Sequence, residues 1–352
     1  MFVLEARNVH TVFPKALQLL AQNGNQSKSR NGTVIRTTMP VTTIYERPWE
    51  RVLFWPERDA NPFFHLYESL WMLSGRNDLK PLLRYVKTFG SFSDNGETLR
   101  GAYGHRWRRH FDTDQLRDIA GRLASNLDDR RSVLAMWDPR TDLRDHDQLK
   151  DIPCNLTATF QRHPISGALE MTVFNRSNDI IWGAYGANAV HFAFLQEYLA
   201  AWIGCAPGRY YQVSTNWHAY TSVLDSVRGV LRVLDHVYSV PVQIPDPYRE
   251  ETVKVFPMFT PGMNITQLDA DIHWILDEAD NGFPGTYPRS MVTPFARNVE
   301  IILRAHHLYS MHSAPTRFDV ALDVLQDADE DMDWVVAAFE WVERRRARWA
   351  AK

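Results

Sequence analysis

The order of apolar and polar positions divides the chain into a mixed first part and a helical last part. Runs of β-branched and aromatic residues predict strands at 2–9, 34–55, 130–137, 154–163, 168–177 and 209–220. Apolar residues at helical spacing predict helices at 10–24, 62–75, 112–129, 188–204 and 221–237. The helix at 188–204 is apolar around its circumference, which predicts a position at the centre of a domain.

Turn signals complete this pattern. The polar stretch 25–33 predicts a loop, and the Pro-Ile-Ser-Gly sequence at 164–167 predicts a hairpin. Beyond the proline-containing stretch 240–263, helical periodicity predicts four helices at 264–280, 292–312, 316–328 and 329–348. We therefore predict an α+β fold, with a core at 1–240 and a mostly helical region at 241–352 packed on the same domain.

Composition limits the classes of function. The 352 residues are 45% hydrophobic and 23% charged, and the formal net charge of -3 gives no basic field that favours nucleic acid. Two cysteines are too few for a disulfide framework and predict a reducing compartment. The chain shows no signal segment and no apolar run of roughly 20 residues, as a membrane span would need. We predict a cytoplasmic protein that binds neither membranes nor nucleic acid.

Cys154, in the segment DIPCN, is the first candidate for chemistry. A lone cysteine at the start of a strand is most often a small buried apolar residue. Arginines in several other segments could converge on it, and nearby cations lower a thiol pKa and supply thiolate. Because thiolate attacks electrophilic carbon, Cys154 is also a candidate nucleophile.

Other polar positions have a structural and a functional interpretation. The segment NRSND at 175–179 is either a turn with a solvated ion pair or an anion clamp, and the arginine pair at 130–131 has the same two alternatives. Asn188 follows a glycine-spaced turn and either caps the next helix or binds a base edge, since an amide offers a donor and an acceptor. His218 and Tyr220 share one face of an extended segment, as core residues or as ligands of a sugar hydroxyl.

Glu68 is the one acid in the apolar helical stretch YESLWML. A carboxyl group there either has a structural partner or has a raised pKa that suits proton transfer. The His, Cys, Asp and Glu positions show no metal-ligand spacing, so we predict no metal site.

Taken in order, these segments resemble the thymidylate synthase superfamily over about residues 30–225. They are RNGT (30–33), YESLWMLSG (67–75), LRGAYGHRWR (99–108), DQL (114–116), LDDRRSVLAMWDP (127–139), IPC (152–154), NRSND (175–179), G-x-x-x-x-N (183–188) and HAY (218–220). The resemblance implies a mixed twisted β-sheet packed with helices. It also implies one-carbon transfer from 5,10-methylenetetrahydrofolate to C5 of a pyrimidine nucleoside monophosphate.

The resemblance implies roles for the nucleotide-binding residues. Asn188 would bind the base at N3 and the C4 substituent, and His218 and Tyr220 would bind the 3′-hydroxyl. A homodimer is implied, because two arginines would reach the phosphate in the neighbouring subunit. The residues implied for the phosphate are Arg30, Arg176 and Ser177 from the same subunit, and Arg130 and Arg131 from the other.

The resemblance likewise implies the catalytic residues. Cys154 would add to C6 of the pyrimidine, which activates C5. Glu68 would organise water and proton transfer, and Tyr103 would assist removal of the C5 proton. Asp179 would contact the pterin of the folate.

Three departures from the family pattern bear on the product. Asn155 stands where the family usually has histidine, and WGAYGAN at 182–188 carries one residue more than the usual segment. The chain ends in ERRRARWAAK, unlike the family tail that excludes water. Water in the site favours a hydroxymethyl product, so we predict hydroxymethylation of a (deoxy)uridylate or (deoxy)cytidylate. The alternatives are thymidylate synthase, which releases dihydrofolate, and an inactive nucleotide- or RNA-binding homologue.

Overall fold

Ten strands and eleven α-helices occur in the part of the chain described by the computed structural model, residues 1–143, 149–234, 244–259, 264–285 and 292–351. The strands are β1 (Phe2–Ala6), β2 (Gly24–Ser29), β3 (Gly32–Thr37), β4 (Val41–Tyr45), β5 (Val133–Ala135), β6 (Asn155–Arg162), β7 (Leu169–Asn175), β8 (Asn178–Asp179), β9 (Pro207–Ser214) and β10 (Trp217–Tyr220). The helices are α1 (Val9–Asn23), α2 (Pro62–Leu73), α3 (Tyr103–Arg108), α4 (Gln115–Ser125), α5 (Pro139–Asp142), α6 (Asn188–Ile203), α7 (Thr221–Val227), α8 (Ile265–Asp280), α9 (Pro294–Met311), α10 (Thr316–Leu325) and α11 (Asp333–Ala350).

All ten strands belong to a first unit, Met1–Ala60 with Gly101–Asp246. Six of them form a mixed sheet in the order β1-β4-β9-β7-β6-β5, and four form a smaller sheet in the order β2-β3-β10-β8. Helix α6 packs on β7 and β9 and is buried from Asn188 to Ala201, as its continuous apolar sequence predicts. It ends at Gly204, whose φ of +77° is readily accessible to glycine.

The predicted hairpin is confirmed, since β6 and β7 pair antiparallel across a turn that contains Gly167 at φ +68°. The loop predicted at 25–33 is wrong, because β2 and the start of β3 form a second antiparallel hairpin there. The β2 side chains are mostly exposed, so this strand is held by its backbone ladder with β3 and has no apolar alternation to reveal it. The helix predicted at 221–237 begins as α7 and continues as a 3₁₀ helix over Arg228–Leu234, while 235–237 lie outside the described residues.

The second unit consists of Asn61–Arg100 and Pro247–Lys352. Here α2 packs against α8, α9 and α11, and the four helices predicted after residue 264 correspond to α8–α11. The proline-containing stretch 240–263 lies partly outside the described residues. The α+β class is confirmed, and the division into 1–240 and 241–352 stays a prediction.

Aromatic rings pack around the buried His306 in this second unit, in a group that we call the aromatic cluster: Phe63, Tyr85, His306, Tyr309 and Trp341. The His306 ring centroid lies 4.9 Å from that of Phe63 and 4.7 Å from that of Tyr85. Trp341 contacts both Phe63 and Tyr309 at 5.3 Å. Among the described helices of either unit, none combines the length and the apolar character that crossing a membrane requires.

Candidate active site

Cys154 lies immediately before β6, where hydrogen bonds fix its backbone. The Tyr103 hydroxyl oxygen, at the start of α3, accepts from the backbone N–H groups of Cys154 (3.0 Å) and Asn155 (3.2 Å). Burial, and next the neighbouring Cys154 thiol, raise the pKa of Tyr103, so its hydroxyl stays protonated at neutral pH. The structure therefore brings together the predicted nucleophile and the predicted proton-transfer tyrosine.

Two of the predicted phosphate-binding arginines hold the backbone that leads to Cys154. Arg176 donates from Nε to the Pro153 carbonyl (2.8 Å) and from Nη2 to the Ile152 carbonyl (3.0 Å). Arg30, in the turn between β2 and β3, donates to the carbonyls of Leu149 (3.1 Å) and Lys150 (3.4 Å). Both guanidinium groups thus converge on residues 149–154.

The effect of these arginines on the thiol is smaller than the sequence predicts. Burial raises the pKa of Cys154 above its ordinary value and is the largest influence. Arg176 and Arg30 lower the thiol pKa, and Asp151 raises it. The expectation of a lowered pKa is wrong, because the effect of burial on the thiol outweighs that of the positive charge on the two arginines.

Asn188 begins α6, but its side chain does not cap that helix. Its Oδ1 accepts from Asn155 Nδ2 (3.1 Å), and its Nδ2 donates to Asn178 Oδ1 (3.0 Å). The preceding segment, Ile180–Ala187, winds in wide π-helical turns, with non-helical backbone at its sixth and seventh residues. Such turns are rare and occur mainly at functional sites. Asn155, which replaces the family's usual histidine, therefore binds the predicted base-binding amide directly.

Asp179 and His218 are neighbours in the parallel pairing of β8 with β10. Asp179 Oδ1 accepts from the backbone N–H groups of Ile181 (2.8 Å) and Trp182 (2.6 Å) and so starts the wide-turn segment. Its Oδ2 is buried and receives no hydrogen bond from the described residues. Burial raises the pKa of Asp179, against the lowering effect of its backbone donors and His218.

The remaining nucleotide-binding candidates differ in their surroundings. His218 and Tyr220 share a face of β10 as predicted, with ring centroids 5.5 Å apart. Ser177 is half-buried between β7 and β8. Arg130 and Arg131 are exposed on the turn before β5, and neither side chain forms a hydrogen bond or ion pair with the described part of the chain.

That turn is shaped by Asp129. Its Oδ2 accepts from the Arg131 backbone N–H (3.0 Å) and the Ser132 hydroxyl (2.7 Å), and Arg122 pairs with the same carboxylate. Glu68 is buried in the middle of α2, in the second unit. Over the described ranges, no group of three or more His, Cys, Asp or Glu side chains is arranged to hold a metal ion.

The sequence did not indicate the role of Arg58. It donates from Nε to the Ile181 carbonyl (2.6 Å) and lies 4.3 Å from the ring centroid of Trp182, so it supports the wide-turn segment. Burial lowers its pKa to about 10. Arg58 lies outside every motif that we singled out, and no signal in the sequence marks it. Asn178, by contrast, lies within the segment NRSND, which the sequence does indicate as a candidate site.

The family of the chain follows from comparison with known proteins. The family model described as thymidylate synthase matches residues 11–249, and the chain belongs to this family. A deoxyuridylate hydroxymethyltransferase of Pseudomonas phage M6 is 47% identical over 100% of this chain and 97% of its own length. Proteins with the same name from Bacillus phage SP01 and Delftia phage PhiW-14 are 38% and 32% identical, over 54% and 59% of this chain and 51% and 59% of their own lengths. The predicted superfamily and one-carbon transferase class are confirmed.

Proposed function

We propose that this protein transfers a one-carbon unit from 5,10-methylenetetrahydrofolate to C5 of dUMP and forms 5-hydroxymethyl-dUMP. The observation that carries the proposal is the fixed position of Cys154, between the Tyr103 hydroxyl and the Arg176 guanidinium, with Asn155 linking it to Asn188. The relative that matches over the whole chain is named for this reaction, which supports the hydroxymethyl product and the deoxyribose.

Cys154 performs the first step. Its thiolate forms a bond to C6 of the pyrimidine, and the electron pair of the C5–C6 bond moves towards C5 and the C4 oxygen. C5, otherwise a poor nucleophile, becomes enolate-like, which divides one difficult reaction into easier steps. When bound, methylenetetrahydrofolate supplies a one-carbon unit at the oxidation level of formaldehyde. C5 bonds to that carbon and loses its proton, and tetrahydrofolate leaves, which gives an exocyclic methylene group. Water adds to this methylene to complete the hydroxymethyl group, and expulsion of the Cys154 thiolate restores the C5–C6 double bond.

The other residues hold substrate or move protons. Tyr103 assists loss of the C5 proton, as its position beside the Cys154 backbone allows, and Glu68 keeps its predicted role in water and proton transfer. His218 and Tyr220 bind the 3′-hydroxyl from one face of β10. The phosphate is held by Arg30, Arg176 and Ser177.

Asp179 fits a pterin. Its buried Oδ2 has no donor among the described residues, and a pterin presents N–H groups that a carboxylate accepts. The other oxygen is occupied by two backbone N–H groups, so the carboxylate cannot turn away. We therefore assign Asp179 to the folate.

We also propose a homodimer through the outer face of the six-stranded sheet. One row of cross-strand neighbours on this face is largely apolar or β-branched and runs through Ala135, Thr157, Phe174, Val213, Thr42 and Val3. Val3 is 56% exposed and Phe174 is 38% exposed, and a second copy of the same face would cover both. Arg130 and Arg131 precede the edge strand β5 of this sheet and would bind the partner's phosphate.

Two measurements test the homodimer. Phe174→Asp places a charge in the sheet face and should yield a monomer in sedimentation, whereas Ile165→Asp, on an exposed hairpin turn, should leave the dimer intact. An Arg130→Ala/Arg131→Ala protein mixed with Cys154→Ala should regain activity to about a quarter of wild type, because heterodimers contain one complete site. Absence of any recovery from stable heterodimers would contradict shared arginines.

The reaction is tested by incubating the protein with methylenetetrahydrofolate and each of dUMP, dCMP, UMP and CMP, and by identifying the products by mass. We expect 5-hydroxymethyl-dUMP from the wild type and from Cys205→Ala, and no product from Cys154→Ala. A product methylated at C5, with dihydrofolate released, would show thymidylate synthase activity instead. Both cysteines are free thiols, which suits a reducing compartment, and we place the protein in the cytoplasm.

A further inference from the structure

Five side-chain amides form a continuous hydrogen-bonded row around Asn188. In order they are Gln212, Asn178, Asn188, Asn155 and Asn175, and we call this row the amide relay. After Gln212, each member donates through its amide nitrogen to the amide oxygen of the member before it. A primary amide can turn over and exchange its donor and acceptor ends, so a row of this kind has two possible directions.

A backbone carbonyl selects one direction. Gln212 Nε2 donates to the Ala184 carbonyl (3.3 Å), and that carbonyl oxygen can only accept. Gln212 therefore presents Oε1 to Asn178, whose Nδ2 donates to it (2.8 Å) and also to the Ser214 hydroxyl (3.0 Å). Asn178 in turn presents Oδ1 to Asn188.

Asn188 consequently has one orientation. Its Nδ2 is held towards Asn178 (3.0 Å) and its Oδ1 towards Asn155 (3.1 Å). Reversing it would require every amide back to Gln212 to reverse, and would leave two carbonyl oxygens facing each other at Ala184. The cost is large because the relay amides are buried: Asn155 and Asn178 are 0% and 2% exposed, and Gln212 is 1% exposed.

Close packing supports the same arrangement. A Cβ atom on Gly183 would lie 2.8 Å from Asn178 Oδ1 and 3.4 Å from Asn188 Nδ2. Residue 183 must therefore be glycine for these two amides to keep their contact. The glycine of the G-x-x-x-x-N segment thus leaves room for the hydrogen bond that orients the asparagine of the same segment.

We propose that the amide relay, through Gln212 and Asn178, holds the Asn188 amide in one orientation. In that orientation the amide can pair with uracil and not with cytosine. After its relay bonds, Asn188 keeps one N–H and one oxygen lone pair for a ligand. Uracil offers N3–H and an accepting O4, whereas cytosine offers an accepting N3 and a donating amino group. A fixed amide can match only one of these patterns. This inference rests on the proposed function, in which the base is uracil and lies against Asn188.

The decisive variant is Asn178→Ala, which separates Asn188 from the anchor at Ala184. We expect its preference for dUMP over dCMP, measured as the ratio of dissociation constants without folate, to fall at least tenfold from that of the wild type. Asn178→Asp retains an acceptor for Asn188 Nδ2 and should recover most of the preference. Asn175→Ala is the matched control, because it removes an equally buried amide at the end of the relay away from the anchor, and its preference should match the wild type.

The outcomes separate this inference from the proposed function. A wild-type protein that binds neither nucleotide would contradict the proposed function itself. A wild type that prefers dUMP, with an Asn178→Ala variant of unchanged preference, would overturn the relay alone. If Asn178→Ala does not fold, Gln212→Leu gives the same test, because it removes the anchor and leaves Asn178 in place.

Discussion

The amide relay of the first unit and the aromatic cluster of the second are both buried, but they differ in whether their contacts have a direction. Each hydrogen bond of the relay runs from a nitrogen to an oxygen, so one carbonyl at Ala184 determines the orientation of Asn188. The rings around His306 pack face to face and edge to face, and these contacts have no donor end and no acceptor end. Burial of directional groups thus serves selectivity, while burial of rings serves stability.

The two regions also show burial acting on ionisable groups with opposite signs. Burial raises the pKa of the Cys154 thiol in the first unit, because the thiolate is the charged form. Burial lowers the pKa of His306 in the second unit to about 3, because its charged form is the protonated one. Each shift yields a measurement that can separate the two regions.

The largest expected effect is the acid sensitivity of the aromatic cluster. Folded His306 stays neutral down to about pH 3, whereas the unfolded chain binds a proton below about 6.5. The free energy of unfolding therefore has its full value above about pH 6.5. It decreases as the pH falls towards 3, by about 5 kcal/mol in total. His306→Phe should remove most of this slope in urea unfolding followed at several pH values.

This first prediction has an internal reference. His10, in the first unit, has a pKa lowered to about 4 by burial and should give a smaller acid slope in both proteins. His306→Phe should leave the preference for dUMP over dCMP unchanged. Two results would contradict the assignment of stability to the aromatic cluster and of selectivity to the amide relay. One is a free energy of unfolding that falls equally with pH in the wild type and in His306→Phe, and the other is a changed preference for dUMP over dCMP in His306→Phe.

The second effect concerns Gly183, where the relay has no room for a side chain. Gly183→Ala should weaken dUMP binding by about 1–3 kcal/mol, because a Cβ atom there displaces Asn178 or Asn188. Gly121→Ala, in α4, meets no atom within 4 Å and is the matched control. Calorimetric titration with dUMP measures both. Equal affinities in the two variants would show that the relay tolerates displacement.

The smallest effect is the reactivity of the Cys154 thiol. Its raised pKa implies less thiolate at neutral pH than in an ordinary cysteine, whose pKa is about 8.5. Alkylation of the substrate-free protein by iodoacetamide should therefore continue to accelerate above that pH and should be several-fold slower at pH 8 than alkylation of a small free thiol. A plateau below pH 8 would show that the arginines outweigh burial.

The sequence predicted those features that rest on local pattern. The buried helix α6 and the β6–β7 hairpin follow from apolar periodicity and turn residues. The single strand predicted at 209–220 is wrong in one respect, because it is divided into β9 and β10, which belong to different sheets. The β2 strand escaped prediction because its side chains are polar and exposed, and only its pairing with β3 makes it a strand.

For the site, the resemblance supplied the candidate residues but not their connections. Asn155 was visible as a departure from the family pattern, yet its bond to Asn188 joins residues 33 positions apart. Gln212, on β9, reaches Asn178 on β8 only through the tertiary fold. The direction of Asn188 depends on these distant contacts, so the sequence left uracil and cytosine as alternatives.

The most direct test of the account is whether Cys154 forms a covalent bond to the pyrimidine. With 5-fluoro-dUMP and methylenetetrahydrofolate, the fluorine at C5 cannot leave as a proton does, so the covalent complex should accumulate. We predict a protein whose intact mass increases by one nucleotide and one folate, with the modification in the peptide that contains Cys154 and none on Cys205. An unmodified wild-type protein, or an adduct that persists in Cys154→Ala, would contradict the account.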